Sequence, residues 1–430
     1  MGIQKHKVVI IGGNFAGISA LKELNRKHSK DLDITVIDPE PHFTWTPNIH
    51  EILSGTKDEE SVEITREKLV SSLGANFLKG AVKALDSISK TLLLNDGDSL
   101  SYDACILCCG NKALKPDNAQ GFTFKNAADV ALIKQSLDEQ LASKDRVAVT
   151  IIGGGFSGVE ALGELLRHYK HNRNIELTLI DSGSRLLKSQ PTVVATDISQ
   201  LCEEYGVELI FEQRVQNSTN NTLTLTNGTH LHSDITIWTV GSTLPDFLNR
   251  GSAPSMEERI NIDGTLQLTD STGVFIAGDV APFLWENHLL PKQSYYAQDM
   301  GQIAAHNVRC LLENHPLATF KPSPKPVLIA FGDLNTYMVS GNLVLASPSL
   351  AATKEALYQL GMFKLMASFP LHMRKKAALS RLLNSTKTLL IPQLNLSLPS
   401  KLLLRSRILQ RGKLKDLNAL IRSAYATLFP

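Results

Sequence analysis

The sequence predicts an α/β protein in which one doubly wound unit is nested inside another and a basic helical region follows. Three observations predict this. A strand, a glycine turn and a helix occur in succession twice, at Lys7–Leu24 and Val147–Leu166. After each copy come a strand ending in an aspartate, a turn-linked hairpin and a buried strand ending in glycine. Charge is segregated as well: residues 351–430 carry 14 Lys/Arg against two acids, while the preceding 350 carry 30 against 40.

The first copy runs from the strand KVVII through Gly12-Gly13-Asn14-Phe15-Ala16-Gly17 into the helix ISALKEL. Its next strand, Ile34–Ile37, ends at Asp38, 21 residues past Gly17. The second copy reads Val149-Thr150-Ile151-Ile152, then Gly153-Gly154-Gly155-Phe156-Ser157-Gly158, then apolar helical positions at Val159, Leu162, Leu165 and Leu166. Its acid, Asp181, falls 23 residues past Gly158. This is the Rossmann-like dinucleotide fingerprint: the first glycine permits the turn, the next lets a pyrophosphate approach, and the last lets helix and strand pack closely. The helix N-terminus offers free N–H groups and partial positive charge to the phosphates. In the first copy Asn14 stands where the middle glycine belongs. Asn tolerates left-handed backbone better than most residues, and its amide offers a donor.

Asp96-Gly97 and Asn227-Gly228 mark the two hairpins, since both pairs favour the tight turn that joins antiparallel strands. The strands that follow end at Gly110 and Gly241, and a third, from Thr272, ends at Gly278-Asp279. Two nucleotides are therefore expected, with the first domain split over 1–112 and 245–345, the second at 113–244, and a basic amphipathic helical region at 346–430.

As an ordered set, these motifs resemble the two-dinucleotide-binding-domain flavoproteins, the superfamily of glutathione reductase and the type II NADH dehydrogenases. The resemblance covers residues 7–345. It implies FAD at Gly12, Gly13, Asn14, Phe15, Ala16, Gly17 and Asp38, with Thr46, Val82, Gly110, Gly278, Asp279 and Ala297 completing the site. It implies NADH at Gly153, Gly155, Phe156, Gly158, Glu160, Asp181 and Gly241. Asp181 is then set to bond the adenosine ribose and repel a 2′-phosphate, although Arg185 stands four residues on.

Cysteine placement separates the branches of that superfamily. Residues 1–104 and 111–201 contain none, and none follows Cys310. A dithiol reductase, a thioredoxin-reductase-like enzyme and a sulfide:quinone reductase each need thiols there. Cys105, Cys108 and Cys109 lie in an apolar strand and read as packing. The segment Pro41–Gly55, and Gly153–Glu164 with its Gly-Val-Glu-x-x-x-Glu, resemble type II NADH:quinone oxidoreductases. So does Ala297-Gln298-x-x-x-Gln302, whereas Lys292-Gln293-Ser294 is closer to the ferroptosis-suppressor and apoptosis-inducing-factor relatives. The resemblance implies that Glu160 faces the cofactor; its plainer reading is an acid in the first turn answering the helix dipole. A helix starting near Gln293 aims its positive end at the flavin pyrimidine. Gln298 and Gln302, one turn apart, are the quinone-facing pair, and Lys292 is a further catalytic candidate. Two other readings stand beside a quinone reductase: a soluble flavin reductase acting on a protein or small oxidant, and a redox-sensing protein of the apoptosis-inducing-factor type.

No stretch reaches 18 uninterrupted apolar residues, and the N-terminus runs straight into a strand without a secretory apolar region. Met1-Gly2 lacks the Ser or Thr that myristoylation wants, carrying His6 there. The expected location is cytoplasmic, peripheral on the cytoplasmic face of a membrane. The basic end predicts a helix at Lys401–Arg411 capped by Ser400, and a second with its apolar stripe at Leu414, Leu417, Leu420, Ile421, Ala424 and Leu428. Such helices suit an anionic bilayer and equally suit packing on the body. The expected partners are NADH, a membrane quinone and an anionic membrane surface, with dimerisation left open and no nucleic acid. His168-x-x-His171 and His230-x-His232 read as surface residues rather than metal ligands.

Overall fold

The computed structural model describes residues 5–26, 31–117, 119–248, 260–381, 407–412 and 416. Strands β1 (His6–Ile11), β2 (Leu32–Asp38), β3 (Asn76–Lys79) and β4 (Ala104–Leu107) belong to one parallel sheet, and β5 (Phe122–Thr123), β6 (Val147–Ile152), β7 (Ile175–Ile180), β8 (Glu208–Ile210) and β9 (Ile235–Trp238) form another. Strand β10 (Val274–Ile276) returns to the edge of the first. The orders are β10-β4-β1-β2-β3 and β5-β9-β6-β7-β8, so four strands of each sheet follow one topology, while the fifth, at the edge, comes last in the chain in the first sheet and first in the second. Helices α1 (Phe15–Asn25) and α2 (Phe156–Tyr169) follow the glycine turns, α3 (Ser294–Leu312) follows β10, and α4 (Leu350–Leu365) comes late.

The central strands are apolar throughout because they are covered on both faces: Val8, Val9, Ile10 and Ile11 are buried, as are Val149, Ile151 and Ile152. The two hairpins sit as three-stranded antiparallel sheets, 82–101 and 215–232. Their turn glycines, Gly97 and Gly228, have φ of +97° and +85°.

Strands Val327–Phe331, Asn335–Ser340 and Leu343–Ala346 carry Ile329, Phe331, Tyr337 and Val339 into one core with Ile49 and Leu53 of the first unit and Val149, Leu162 and Leu165 of the second. Gly163 explains the docking: a Cβ there would lie 2.5 Å from the Gly332 nitrogen, so only glycine lets α2 come so close. Burial of Phe331 alone is worth about 2 kcal/mol. One sequence expectation needs correction: the helix expected at Lys401–Arg411 is a strand over its described part, Arg407–Gln410, antiparallel to Leu343–Ala346. An open sheet edge offers unpaired backbone groups, and Arg407 is drawn to the buried Asp197. Ser400 and the stripe Leu414–Leu428 lie outside the described residues. Among the described residues no helix is long and apolar enough to cross a membrane.

Candidate active site

The first glycine turn leaves no room for side chains. Gly12 has φ +103° and an added Cβ would lie 2.3 Å from the Cys108 carbonyl oxygen; at Gly17 it would lie 1.9 Å from the Gly12 oxygen. Asp38 accepts a 2.7 Å bond from the Gly13 amide. Its other oxygen is 2.5 Å from Nη1 of Arg66, a buried arginine whose Nε donates to the Gly13 carbonyl. Arg66 escaped sequence reasoning, because one charged residue in EITREK carries no local sign of burial. Asn14 has φ −105°, so the left-handed backbone offered as its reason is not used. Its Oδ1 is buried without a partner, and no side chain caps α1. A bare helix end and a turn stripped of Cβ atoms fit a dinucleotide pyrophosphate; Asn14 Oδ1, an acceptor, calls for a donor such as a hydroxyl instead.

The second turn repeats the first. Gly153 has φ +113°, a Cβ at Gly158 would lie 1.9 Å from the Gly153 oxygen, and Gly155 faces open space. Asp181 accepts bonds of 2.6 Å from the amides of Gly154 and Gly183. Arg185 is turned away, donating to the carbonyls of Leu186, Leu187, Lys188 and Gln190. Gly241, φ +109° and with open space around it, lies three residues past β9, where the paired strands Lys112–Ala113 and Ser242–Thr243 cross between the units.

One cleft of about 1960 Å³ joins the two units. From the first it is lined by Gly12, Asn14, Phe15, Ala16, Asp38, Thr46, Val82 and Gly110, with Gly278, Asp279 and Ala297 beyond; from the second come Phe156 and Glu160. Gly13, Gly17, Gly153, Gly155, Gly158, Asp181 and Gly241 lie outside its lining. Helix α3 begins at Ser294 with Gln293 as N-cap, and brings Gln298 and Gln302 to the cleft. A Cβ at Gly301 would lie 2.2 Å from the Ala16 oxygen, which is how closely α3 crosses α1. Lys292 Nζ donates to Ser242 Oγ at 3.0 Å. Asn111, also unforeseen, donates to the Asp279 carbonyl at 2.9 Å and leaves its buried Oδ1 without a partner.

Glu160 is no simple helix-dipole acid. It pairs with Lys354 of α4 at 2.5 Å and faces His50 at 3.6 Å. Behind it Lys57 bridges Glu51 and Glu355, at 3.0 and 2.7 Å. Burial, helped by the Lys354 ammonium, pushes His50 down to about 4. Burial opposes ionisation of Glu51, but Lys57 and its fellow cations hold that carboxyl down to about 2. Glu164 is fully buried, and burial raises it to about 7 against the pull of Arg167.

The cysteines are free, and Cys108 and Cys109, read as packing, also reach the cleft lining. Burial drives both thiols up, Cys109 to about 12, so neither is a ready nucleophile. Among the described residues no cluster is suited to a metal ion; His168 stacks edge-on against Tyr169, and His232 meets Asp234.

The profile of the pyridine nucleotide-disulphide oxidoreductase family matches residues 6–301. The chain is 24% identical over 388 residues to the type II NADH:quinone oxidoreductase of Haemophilus influenzae, covering 78% of this chain and 86% of that one. It is 24% identical over 371 residues to the demethylphylloquinone reductase NdbB of Synechocystis, covering 82% and 91%. Its fold matches NDH2 from Plasmodium falciparum in complex with NADH, with a TM-score of 0.73 at 15% identity over 90% of this chain and 98% of that one. The chain belongs to the pyridine nucleotide-disulphide oxidoreductase family. Within it, this is an oxidoreductase that binds FAD and NADH.

Proposed function

We propose that the chain is a non-proton-pumping NADH:quinone oxidoreductase, peripheral on an anionic membrane. FAD would lie along the first turn, held by Gly12, Asn14, Asp38 and Asp279, and when bound it supplies a carrier that accepts a hydride and returns an electron pair. The second turn takes NADH. Asp181, fixed by two backbone amides, presents a carboxylate to the ribose, and Arg185 is engaged elsewhere, so NADH is preferred to NADPH. The N-terminus of α3, with Lys292 beside it, places positive potential where reduced flavin carries charge. Gln298 and Gln302 donate to the quinone carbonyls, while Phe156 and Glu160 wall off the nicotinamide side.

The observation that carries the reading is the continuity of the cleft. It passes from the first turn past Gln298 and Gln302 to Leu357, Gly361 and Lys364 of α4. Leu357 and Lys364 are exposed there, and the chain that follows exposes Phe363, Leu371 and Leu379 together with Lys375 and Lys376. A lipid-soluble acceptor suits such an apolar, basic exit. The relatives above named for quinones support it too. Anaerobic NADH titration of the yellow protein, followed by quinone, tests it: NADH is expected to bleach the flavin and quinone to restore it. Replacing Gln298 and Gln302 is expected to slow only the second step, and equal loss of both steps removes the glutamines from that role.

A further inference from the structure

His50, Glu160 and Lys354 come from three separate parts of the chain, the 3₁₀ segment Thr46–Ile52, α2 and α4, and meet in the cleft wall. Lys354 Nζ lies 2.5 Å from Glu160 Oε1 and 3.2 Å from His50 Nε2, while His50 Nδ1 faces Glu160 Oε2 at 3.6 Å. An ammonium donates and cannot accept. Nε2 must therefore be the unprotonated ring nitrogen, and the ring hydrogen sits on Nδ1, towards the carboxylate. The partners fix the tautomer. The side chain is 2% exposed, and the charged groups facing it are Lys354, Glu160, Glu51 and Arg167. Burial and the adjacent cations oppose a second proton on the ring, which keeps it an acceptor at neutral pH.

Quinone reduction by NADH leaves one proton to find: NADH + H⁺ + quinone → NAD⁺ + quinol. The hydride brings two electrons and one proton, and quinol holds two. Resting on the quinone reading above, we propose that His50 is the positioning residue for Lys354, the acid that supplies this second proton. Its bare Nε2 takes one ammonium hydrogen and Glu160 takes another, leaving the third for the cleft. In the transfer a Lys354 N–H bond breaks and an O–H bond forms on the quinone oxygen. The neutral amine regains its proton from bulk water through the open cleft once quinol departs.

The test uses the full-length, FAD-loaded protein with ubiquinone-1, comparing the wild type with His50→Phe, which has no acceptor, and His50→Gln, which keeps one. His50→Phe is expected to slow flavin reoxidation by quinone about 10- to 100-fold and to move the alkaline limb of its pH profile to lower pH, the loss falling on reoxidation rather than on bleaching by NADH. His50→Gln should restore most of the rate. Independently of turnover, ¹⁵N-histidine spectra should show His50 Nε2 unprotonated and the ring not titrating between about pH 5.5 and 8; Lys354→Met should release that tautomer. A wild-type rate and alkaline limb in His50→Phe, or a ring protonated on Nε2 or titrating near neutrality, overturns the proposal even if a variant fails to fold. If quinone leaves the reduced wild type unoxidised, the quinone reading fails instead, and with it this role.

Discussion

At the first turn Asp38 is shared between the Gly13 amide and the buried Arg66 guanidinium, while at the second Asp181 accepts from the amides of Gly154 and Gly183. Gly13 is roofed by the Arg66 side chain, which a Cβ would meet at 2.6 Å, and its counterpart Gly154 by Leu186 at 2.9 Å; the turns part at the third position, where Asn14 stands in the first and Gly155, with open space around it, in the second. The helices differ in the opposite sense. Glu23 of α1 is partly exposed, but Glu164, at the equivalent position of α2, is fully buried beneath the strands from Val327. An arginine and an asparagine close the first turn, while the second has a glycine open to space and a helix that buries even its glutamate. An enclosed site suits a cofactor that stays, and an open one suits a nucleotide that leaves at every turnover.

The strongest way to break this comparison is to spoil each turn in turn. Gly12→Ala places a side chain at φ +103° against the Cys108 carbonyl, at a cost of about 3 kcal/mol, and is expected to give colourless protein. Gly153→Ala is expected to remain yellow but to resist bleaching by NADH. Visible absorbance before and after NADH reads both outcomes, and equal loss of flavin from the two variants would dissolve the distinction.

Arg66 is the next lever, because the second turn has no counterpart. Arg66→Met leaves Asp38 buried without its cation, a loss of about 3–5 kcal/mol in pairs of this kind. The variant should release FAD on dilution and unfold at lower urea, while NADH affinity of the flavin-loaded fraction stays put. Unchanged flavin retention would mean that Arg66 matters only to the fold.

Helix α2 offers a pH test. The folded carboxyl of Glu164 is raised to about 7, so the native state keeps its proton where the unfolded chain has lost it. That group therefore costs stability progressively as pH rises from the unfolded value, near 4.3, through about 7, and costs nothing extra below it. Glu164→Gln removes the titration. Relative to wild type its melting temperature is expected to be higher at pH 8 than at pH 5, whatever the offset from losing Arg167 as a partner. A difference that does not change with pH would place Glu164 as an ordinary ion pair.

What the sequence made legible follows from range. Gly12, Gly17, Gly153 and Gly158 answer a local steric demand, and the Asp-Gly and Asn-Gly turns do the same, so their spacing alone located strand, turn and helix. Arg66, His50, Asn111 and Lys354 take their roles from partners up to 304 positions away, and nothing beside them in the chain announces it. The stretch at Arg407–Gln410 reads as helix by periodicity, yet a waiting sheet edge decides otherwise. Glu160 lies between: its position was legible, its partners were not.

The smallest expected effect belongs to Asn14, the residue that breaks the likeness of the two motifs. Asn14→Gly turns the first motif into the second. The native φ of −105° asks for no glycine, so the substitution adds only the entropy of a looser chain, about 0.5–1 kcal/mol. Asn14 makes no side-chain cap bond to α1, so no cap is lost with it. Asn14 instead lines the cleft, where its Nδ2 can donate, and a hydrogen bond to a charged phosphate is worth about 1.5–3 kcal/mol. FAD affinity, measured by flavin fluorescence on titrating apoprotein, is therefore expected to fall about tenfold with little change in melting temperature of the apoprotein. Tighter FAD binding in the glycine variant would mean that Asn14 obstructs the pyrophosphate rather than bonding it, and that the open turn, not the enclosed one, is the better cradle.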